Sequence, residues 1–283
     1  MIYLLISIFC SVFVGILFKK TKPSFSEGFT MITLNYLVSI FLCYSLFDIN
    51  ISSFNLNYSI LIPLIILMPT VFYILNLSIN KSGIIKTDIA QRISLIIPIS
   101  ASFLIFGESI SLFKWIGIIL GFTSVILMLY KSNQTVKSNS IYLGFVFLGY
   151  GIIDVLFKQI AIQKTQPFTT YLFFIFIGCF FTSLIVSIFI KKTKFEINKK
   201  IFLYGLILGC LNFLNIYFYL NAHKIYNDQP STVFAVMNFG VISLATVLGV
   251  FIFKEKLSKK NIIGIILAVF AIIFVLYSQY KNI

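Results

Sequence analysis

Ten long apolar runs, parted by short polar breaks, leave this chain few ways to fold. They lie near residues 2–18, 28–47, 57–79, 84–106, 110–130, 141–162, 168–190, 200–223, 229–253 and 259–280. A helix of about 20 apolar residues crosses the roughly 30 Å hydrocarbon core of a bilayer, and inside lipid a helix satisfies its own backbone hydrogen bonds. The sequence lacks the alternating segments of about ten residues that mark a membrane β-barrel. With 59% hydrophobic and 11% charged residues and a mean hydropathy of +1.03, the 283 residues carry too little polar surface for a soluble protein. The expectation is an all-α polytopic membrane protein with ten transmembrane helices.

The formal charge of +14 does not point to nucleic acid. The lysines cluster at the ends of spans instead of along one continuous face, which suits lipid headgroups. The first span has neither a basic leader nor a small-residue cleavage site, so it is read as part of the mature chain. Cys10, Cys43, Cys179 and Cys210 all fall inside spans without a CxxC pair and are read as packing residues.

A repeat organises the runs. FGESISLFKWIGIIL at 106–120 returns as FKEKLSKKNIIGIIL at 253–267, an offset of 147. Over 106–130 and 253–277, eleven of 25 positions agree, among them Glu108/Glu255, Ser111/Ser258, Gly117/Gly264 and Tyr130/Tyr277. Upstream, LFK at 17–19 returns at 156–158, Phe29-Thr30 as Phe168-Thr169, and Asn76 is answered by Asn221. The chain is therefore read as a duplication: residues 1–132 form the first five-helix repeat, 133–140 a linker and 141–283 the second repeat. Five is odd, so the repeats enter the membrane from opposite sides and are inverted. Loops 1–2, 3–4, 5–6, 7–8 and 9–10 hold sixteen lysines, against five on the other side: Lys114, Lys158, Lys164, Lys224 and Lys281. By the positive-inside rule the lysine-rich side is cytoplasmic and both termini lie outside.

The twice-placed motif, FGE at 106–108 before Gly117 and Glu255 before Gly264, resembles the two EamA-type repeats of the drug/metabolite transporter superfamily, as does NDQPST at 227–232 ahead of span 9. The resemblance covers the chain in length, span count and repeat. It implies a ten-helix carrier of small metabolites, often an exporter of amino acids or related compounds, with a central cavity lined by helices 1, 3, 4, 6, 8 and 9. Two features depart from it. Lys254 stands where the first repeat has Gly107, and loop 2–3 (DINISSFNLN) lacks the basic cluster that cytoplasmic termini, the usual family arrangement, would call for. Here the orientation follows the charges.

A charge inside a span costs several kcal/mol and needs a reason. Arg92 lies eight residues into span 4, about 12 Å deep, with Asp88 one turn earlier on the same face. The pair either binds an anionic group such as a substrate carboxylate or is a structural ion pair. Asp154 and Lys158 repeat the spacing in span 6: Asp154 is a candidate proton or cation site, while Lys158 either joins the pathway or snorkels to the interface as its counterpart Lys19 would. The GYG at 149–151 either bends that span or packs it closely. Gln91 and Asn238, repeat counterparts, are candidate substrate contacts or interhelical bonds, and Asn212, Asn215 and Tyr219 share one face of span 8 as a candidate lining of the cavity. Pro63, Pro69 and Pro98 are expected to kink spans 3 and 4. Glu108 and Glu255 are expected to be structural, and the lone His223 has no companions for a metal site.

These features favour a secondary carrier of a small polar or amphipathic metabolite working by alternating access, with membrane lipids and a coupling proton or cation as partners and no cofactor. No GxxxxGK[ST] run offers ATP binding, and no HExxH or GxSxG supports an enzyme. A carrier of a lipid-linked or nucleotide-linked molecule is the alternative. The location expected is a bacterial inner membrane.

Overall fold

In the computed structural model the described residues are 1–49, 56–109, 111–129, 140–189, 199–254 and 257–280. Tyr130, Glu255 and residues 133–139 of the expected linker lie outside them. The helices are α1 (Ile2–Thr21), α2 (Phe25–Leu46), α3 (Tyr58–Ser82), α4 (Ile84–Ile93), α5 (Ile96–Leu104), α6 (Leu112–Leu129), α7 (Ser140–Ala161), α8 (Phe168–Phe189), α9 (Lys199–Ile225), α10 (Pro230–Phe253) and α11 (Lys259–Tyr280). Among the described residues nine helices are long and apolar enough to cross a bilayer. The tenth span is α4 followed by α5, so the span expected at 84–106 with a kink at Pro98 is two half-helices.

Pro98 explains the interruption. It has no N–H for the Ser94 carbonyl, and its ring crowds that oxygen. The Ile97 N–H takes the Ser94 carbonyl instead, at 2.9 Å, and the Leu95 N–H reaches Arg92 O at 3.3 Å. Ser94 (φ −54°, ψ −20°) and Leu95 (φ −53°, ψ −23°) have 3₁₀ torsions. The Gln91 carbonyl, which Leu95 would serve in an α-helix, accepts from the Ser94 hydroxyl at 2.5 Å. At the offset of 147 the counterpart of Pro98 is Ala245, and α10 runs through that position without interruption.

The chain forms two compact units, each assembled from both halves of the sequence. One comprises Met1, residues 74–155 and residues 225–283; the other comprises residues 2–73 and 156–224.

In the first unit the most extensive helix pair is α6 with α11, spans 5 and 10 of the repeat. They run antiparallel: Gly117, early in α6, meets Ala271 and Val275, late in α11, and Gly264, early in α11, meets Ser124 and Met128, late in α6. At the offset of 147, Gly117 corresponds to Gly264, Ser124 to Ala271 and Met128 to Val275. Each contact is the two-fold image of the other. A Cβ on Gly117 would stand 2.9 Å from the Ala271 carbonyl oxygen, and one on Gly264 3.0 Å from that of Ser124, so the glycines recur where two backbones meet. The repeated serines cap the same two helices: Ser111 Oγ accepts from Lys114 N–H at 3.3 Å, and Ser258 and Asn261 bond reciprocally at the start of α11. The substitution of Lys254 for Gly107 keeps the backbone as it was. Both residues are left-handed, with φ of 54° and 67°, and lysine holds that turn at a cost of about 1–2 kcal/mol.

In the second unit the leading pair is α2 with α8, again repeat counterparts. They too are antiparallel, since Tyr36 stacks near Phe176 while the later Tyr44 meets the earlier Phe173, with ring centroids 6.5 and 6.3 Å apart. Pro63 and Pro69 sit inside a continuous α3. Pro69 leaves the Ile65 carbonyl without its helical donor, and the Thr182 hydroxyl of α8 reaches it at 3.2 Å while sharing its one proton with Gly178 O at 2.9 Å and Cys179 O at 3.1 Å; Cys179 Sγ lies 3.8 Å from the same Ile65 oxygen. Gly178 allows this approach, because a Cβ there would lie 2.5 Å from Ile65 Cδ1. A neighbouring hydroxyl thus completes a proline-interrupted helix inside lipid. Thr182→Val is expected to cost about 1 kcal/mol and lower the thermal-unfolding midpoint, whereas Thr182→Ser retains wild-type behaviour.

Candidate functional site

Within the first unit, α4 and α7 bring three of the singled-out charges around one tyrosine. Arg92 stands in the last turn of α4, just before the 3₁₀ turn, and its Nε lies 3.6 Å from Asp88 Oδ1. The Arg92 and Asp88 side chains are 18% and 34% exposed, so the guanidinium is mostly withdrawn while its carboxylate partner is accessible. Arg92, Asp154 and Asp88 all act electrostatically on the Tyr150 hydroxyl. Asp154 follows Tyr150 by one turn of α7, and the α4 pair is near enough to act on the same hydroxyl.

Arg92 Nε is buried and makes no hydrogen bond, and 3.6 Å to Asp88 is a Coulombic contact too long to be one. A guanidinium offers five donors in a planar fork suited to a carboxylate or phosphate. In a spanning helix, such a group can hold an anion in two parallel hydrogen bonds. Gly151, next to Tyr150, lets α7 close on α5: a Cβ there would lie 2.5 Å from Ile97 Cδ1. Since α7 is uninterrupted from 140 to 161, the GYG serves close packing and not a bend.

The remaining candidates lie elsewhere. Asn238, on α10, donates to Phe234 O of its own helix at 3.1 Å. Gln91 adjoins Arg92 on α4, and its carbonyl is the one that Ser94 serves. In the second unit, Asn215 Oδ1 accepts from Ser7 of α1 at 2.7 Å, and Asn212 donates to Asn35 Oδ1 of α2 at 3.2 Å. Both asparagines therefore tie helices together. Lys158 is fully buried, which corrects the idea that it snorkels to the interface. Its ammonium donates to the His223 carbonyl at 3.3 Å, near the negative end of α9. Tyr219 packs on the same histidine, ring centroids 4.7 Å apart.

Three participants gave no sign in the sequence as it was read. Tyr150 is flanked by the two glycines that drew attention, but its partners on α4 are about sixty positions away. Lys114 is fully buried and paired with Glu108, whose carboxylate also accepts from Ser231 N–H at 2.8 Å and Ser231 Oγ at 2.6 Å at the start of α10. Glu108 followed six residues later by Lys114, across a short loop, was the available signal. Among the described residues no three His, Cys, Asp or Glu side chains group as a metal site.

The chain is similar to known proteins. The chain is 37% identical to an uncharacterised protein of Haemophilus influenzae over 97% of both chains, and residues 140–277, the second repeat, match the model of the EamA-like transporter family. The chain belongs to the EamA-like transporter family. This EamA-like chain is also 23% identical, over 68% of its length and 64% of the relative's, to the S-adenosylmethionine uptake transporter of Rickettsia prowazekii. A solved crystal structure shares the fold at a TM-score of 0.79 and 12% identity, over 99% of this chain and 97% of that one. The EamA-like fold is thus an integral, multi-pass membrane transporter rather than an enzyme. Its glycine and serine repeats build the scaffold, while Arg92, Asp88 and Asp154 have no counterpart in the other repeat.

Proposed function

We propose that the chain is a secondary carrier of a small metabolite bearing a carboxylate, such as an amino acid or amino-acid derivative, moved by alternating access between the inverted repeats. The observation that carries this is the Arg92 guanidinium, withdrawn into a spanning helix with its Nε making no hydrogen bond. The substrate's carboxylate occupies the fork of Arg92, Tyr150 offers a hydroxyl beside it, and Asp88 and Asp154 are the sites for a cationic group or a coupling proton. The direction proposed is export. The name of the Rickettsia relative supports a second load of the same chemistry, an amino-acid derivative attached to a nucleoside, and it supports uptake.

The proposed orientation places the lysine-rich loops in the cytoplasm, in a bacterial inner membrane. Burial supports it: Lys114 and Lys158, both counted on the sparse side, are interior groups and not loop charges. That leaves Lys164 and Lys224 there among the described residues, and the asymmetry sharpens.

Metabolite profiling of cells and medium tests the reading, comparing wild type, Arg92→Ala and empty vector at matched membrane expression, with S-adenosylmethionine and the amino acids among the compounds quantified. Wild type is expected to redistribute one metabolite, and Arg92→Ala to weaken that by about tenfold or more, as the loss of a charge-assisted hydrogen bond implies. Equal redistribution by both proteins reduces Arg92 to a structural charge, and none by either defeats the carrier reading.

A further inference from the structure

We propose that α4 is a hinged arm, swinging about the Ser94–Leu95 turn and carrying Asp88 and Arg92, while α10, its repeat counterpart, is a fixed strut. The exchange between the inverted repeats is then unequal: one half moves and the other guides.

Three contrasts within the first unit carry this. The break is built into one copy only, with Pro98 interrupting span 4 where Ala245 leaves span 9 whole. The two half-helices also have different partners, α4 packing on α6 and α5 on α10. Ser94, Leu95, Pro98 and Ile99 are buried, so the turn and the start of α5 are anchored. Beyond the turn, Thr87 is the one buried residue among 86–93 of α4, whereas the equivalent residues 233–240 of α10 include six.

The starts of the two helices differ in the same sense. The N-terminus of α10 is held by the buried Glu108 carboxylate on Ser231 N–H and Oγ. That of α4 follows Gly83, at φ 86°, with no side-chain cap. One buried bond does reach α4, Ser78 Oγ to Thr87 Oγ1 at 2.8 Å. It ties α4 to the end of α3, so the two move as one hairpin. A 3₁₀ turn inside a spanning helix is a natural pivot, and low burial on one side of it marks the segment that opens at least cost. Arg92 lies two residues from the pivot, so a swing of α4 re-aims its guanidinium.

Hydrogen–deuterium exchange on the full-length protein in lipid nanodiscs tests this without any substrate. Amides 86–93 are expected to exchange at least about tenfold faster than amides 233–240 of α10. Pro98→Ala, which restores an N–H for the Ser94 carbonyl, is expected to slow the α4 amides by about tenfold and leave α10 unchanged. Ser94→Ala, which strips the Gln91 carbonyl of its hydroxyl, is expected to speed them. Equal protection of α4 and α10 in wild type overturns the proposal. So does Pro98→Ala slowing both helices alike or neither, because α4 would then be loose for reasons other than the hinge.

Discussion

Replacing Glu108 by glutamine is expected to destabilise the protein by about 3–5 kcal/mol, the cost of stranding a buried charge. Lys114 and the Glu108 side chain are 0% and 2% exposed, so water cannot take over from the lost carboxylate. Glutamine keeps one oxygen for Ser231, but its amide nitrogen replaces the other and accepts nothing, so the change removes the charge that faces the Lys114 ammonium and one acceptor. Thermal unfolding can be followed through Trp115, the only tryptophan of the chain and the neighbour of Lys114. Glu108→Gln paired with Lys114→Met is expected to recover most of the loss, since no buried charge is then left without its partner. If the double variant is no more stable than Glu108→Gln alone, the carboxylate matters chiefly as the cap of α10.

Adding one methyl group at Gly121 is expected to cost about 3 kcal/mol, the upper range for overpacking. A Cβ there would fall 2.0 Å from Cε2 and Cζ of Phe239. That ring is fully buried and meets Phe122 edge-on, with centroids 6.2 Å apart, so it has nowhere to turn. Gly121→Ala combined with Phe239→Leu should restore much of the stability, as measured by the same fluorescence transition. An unchanged midpoint in Gly121→Ala alone would mean that α6 and α10 separate easily, which also counts against α10 as a fixed strut.

The ten spans were legible because lipid makes the same demand of every one of them, and hydropathy records that demand locally. The repeat was legible for a related reason: Gly117, Gly264, Ser111 and Ser258 do identical local work at two backbone contacts and two helix starts. Partners were not legible. Asn212 and Asn215 were placed on one face of span 8, but that Asn35 and Ser7 stand opposite is a tertiary fact. Lys158 sits near a span end, where snorkelling is the local solution; the carbonyl that draws it inward belongs to His223, 65 positions away. Tyr150 looked like one of fifteen tyrosines, and that Arg92 and Asp88 of α4 act on its hydroxyl is a tertiary fact. Pro98 signalled a kink, but whether a proline bends a helix or divides it depends on what the freed carbonyl finds, and here it found Ile97.

The antiparallel seam of α6 and α11 also bears on how such a chain can change over generations. While a surface meets its own copy, every mutation is written into both sides at once, and a residue useful on one side alone cannot be tried. With the two copies in a single gene, each side is edited separately. Lys254 against Gly107, Asn261 against Lys114 and Ala245 against Pro98 are edits of that kind, made around a glycine contact that still obeys the old symmetry. The two halves share a scaffold without sharing every side chain, and Arg92 stands in one where the other has Phe239.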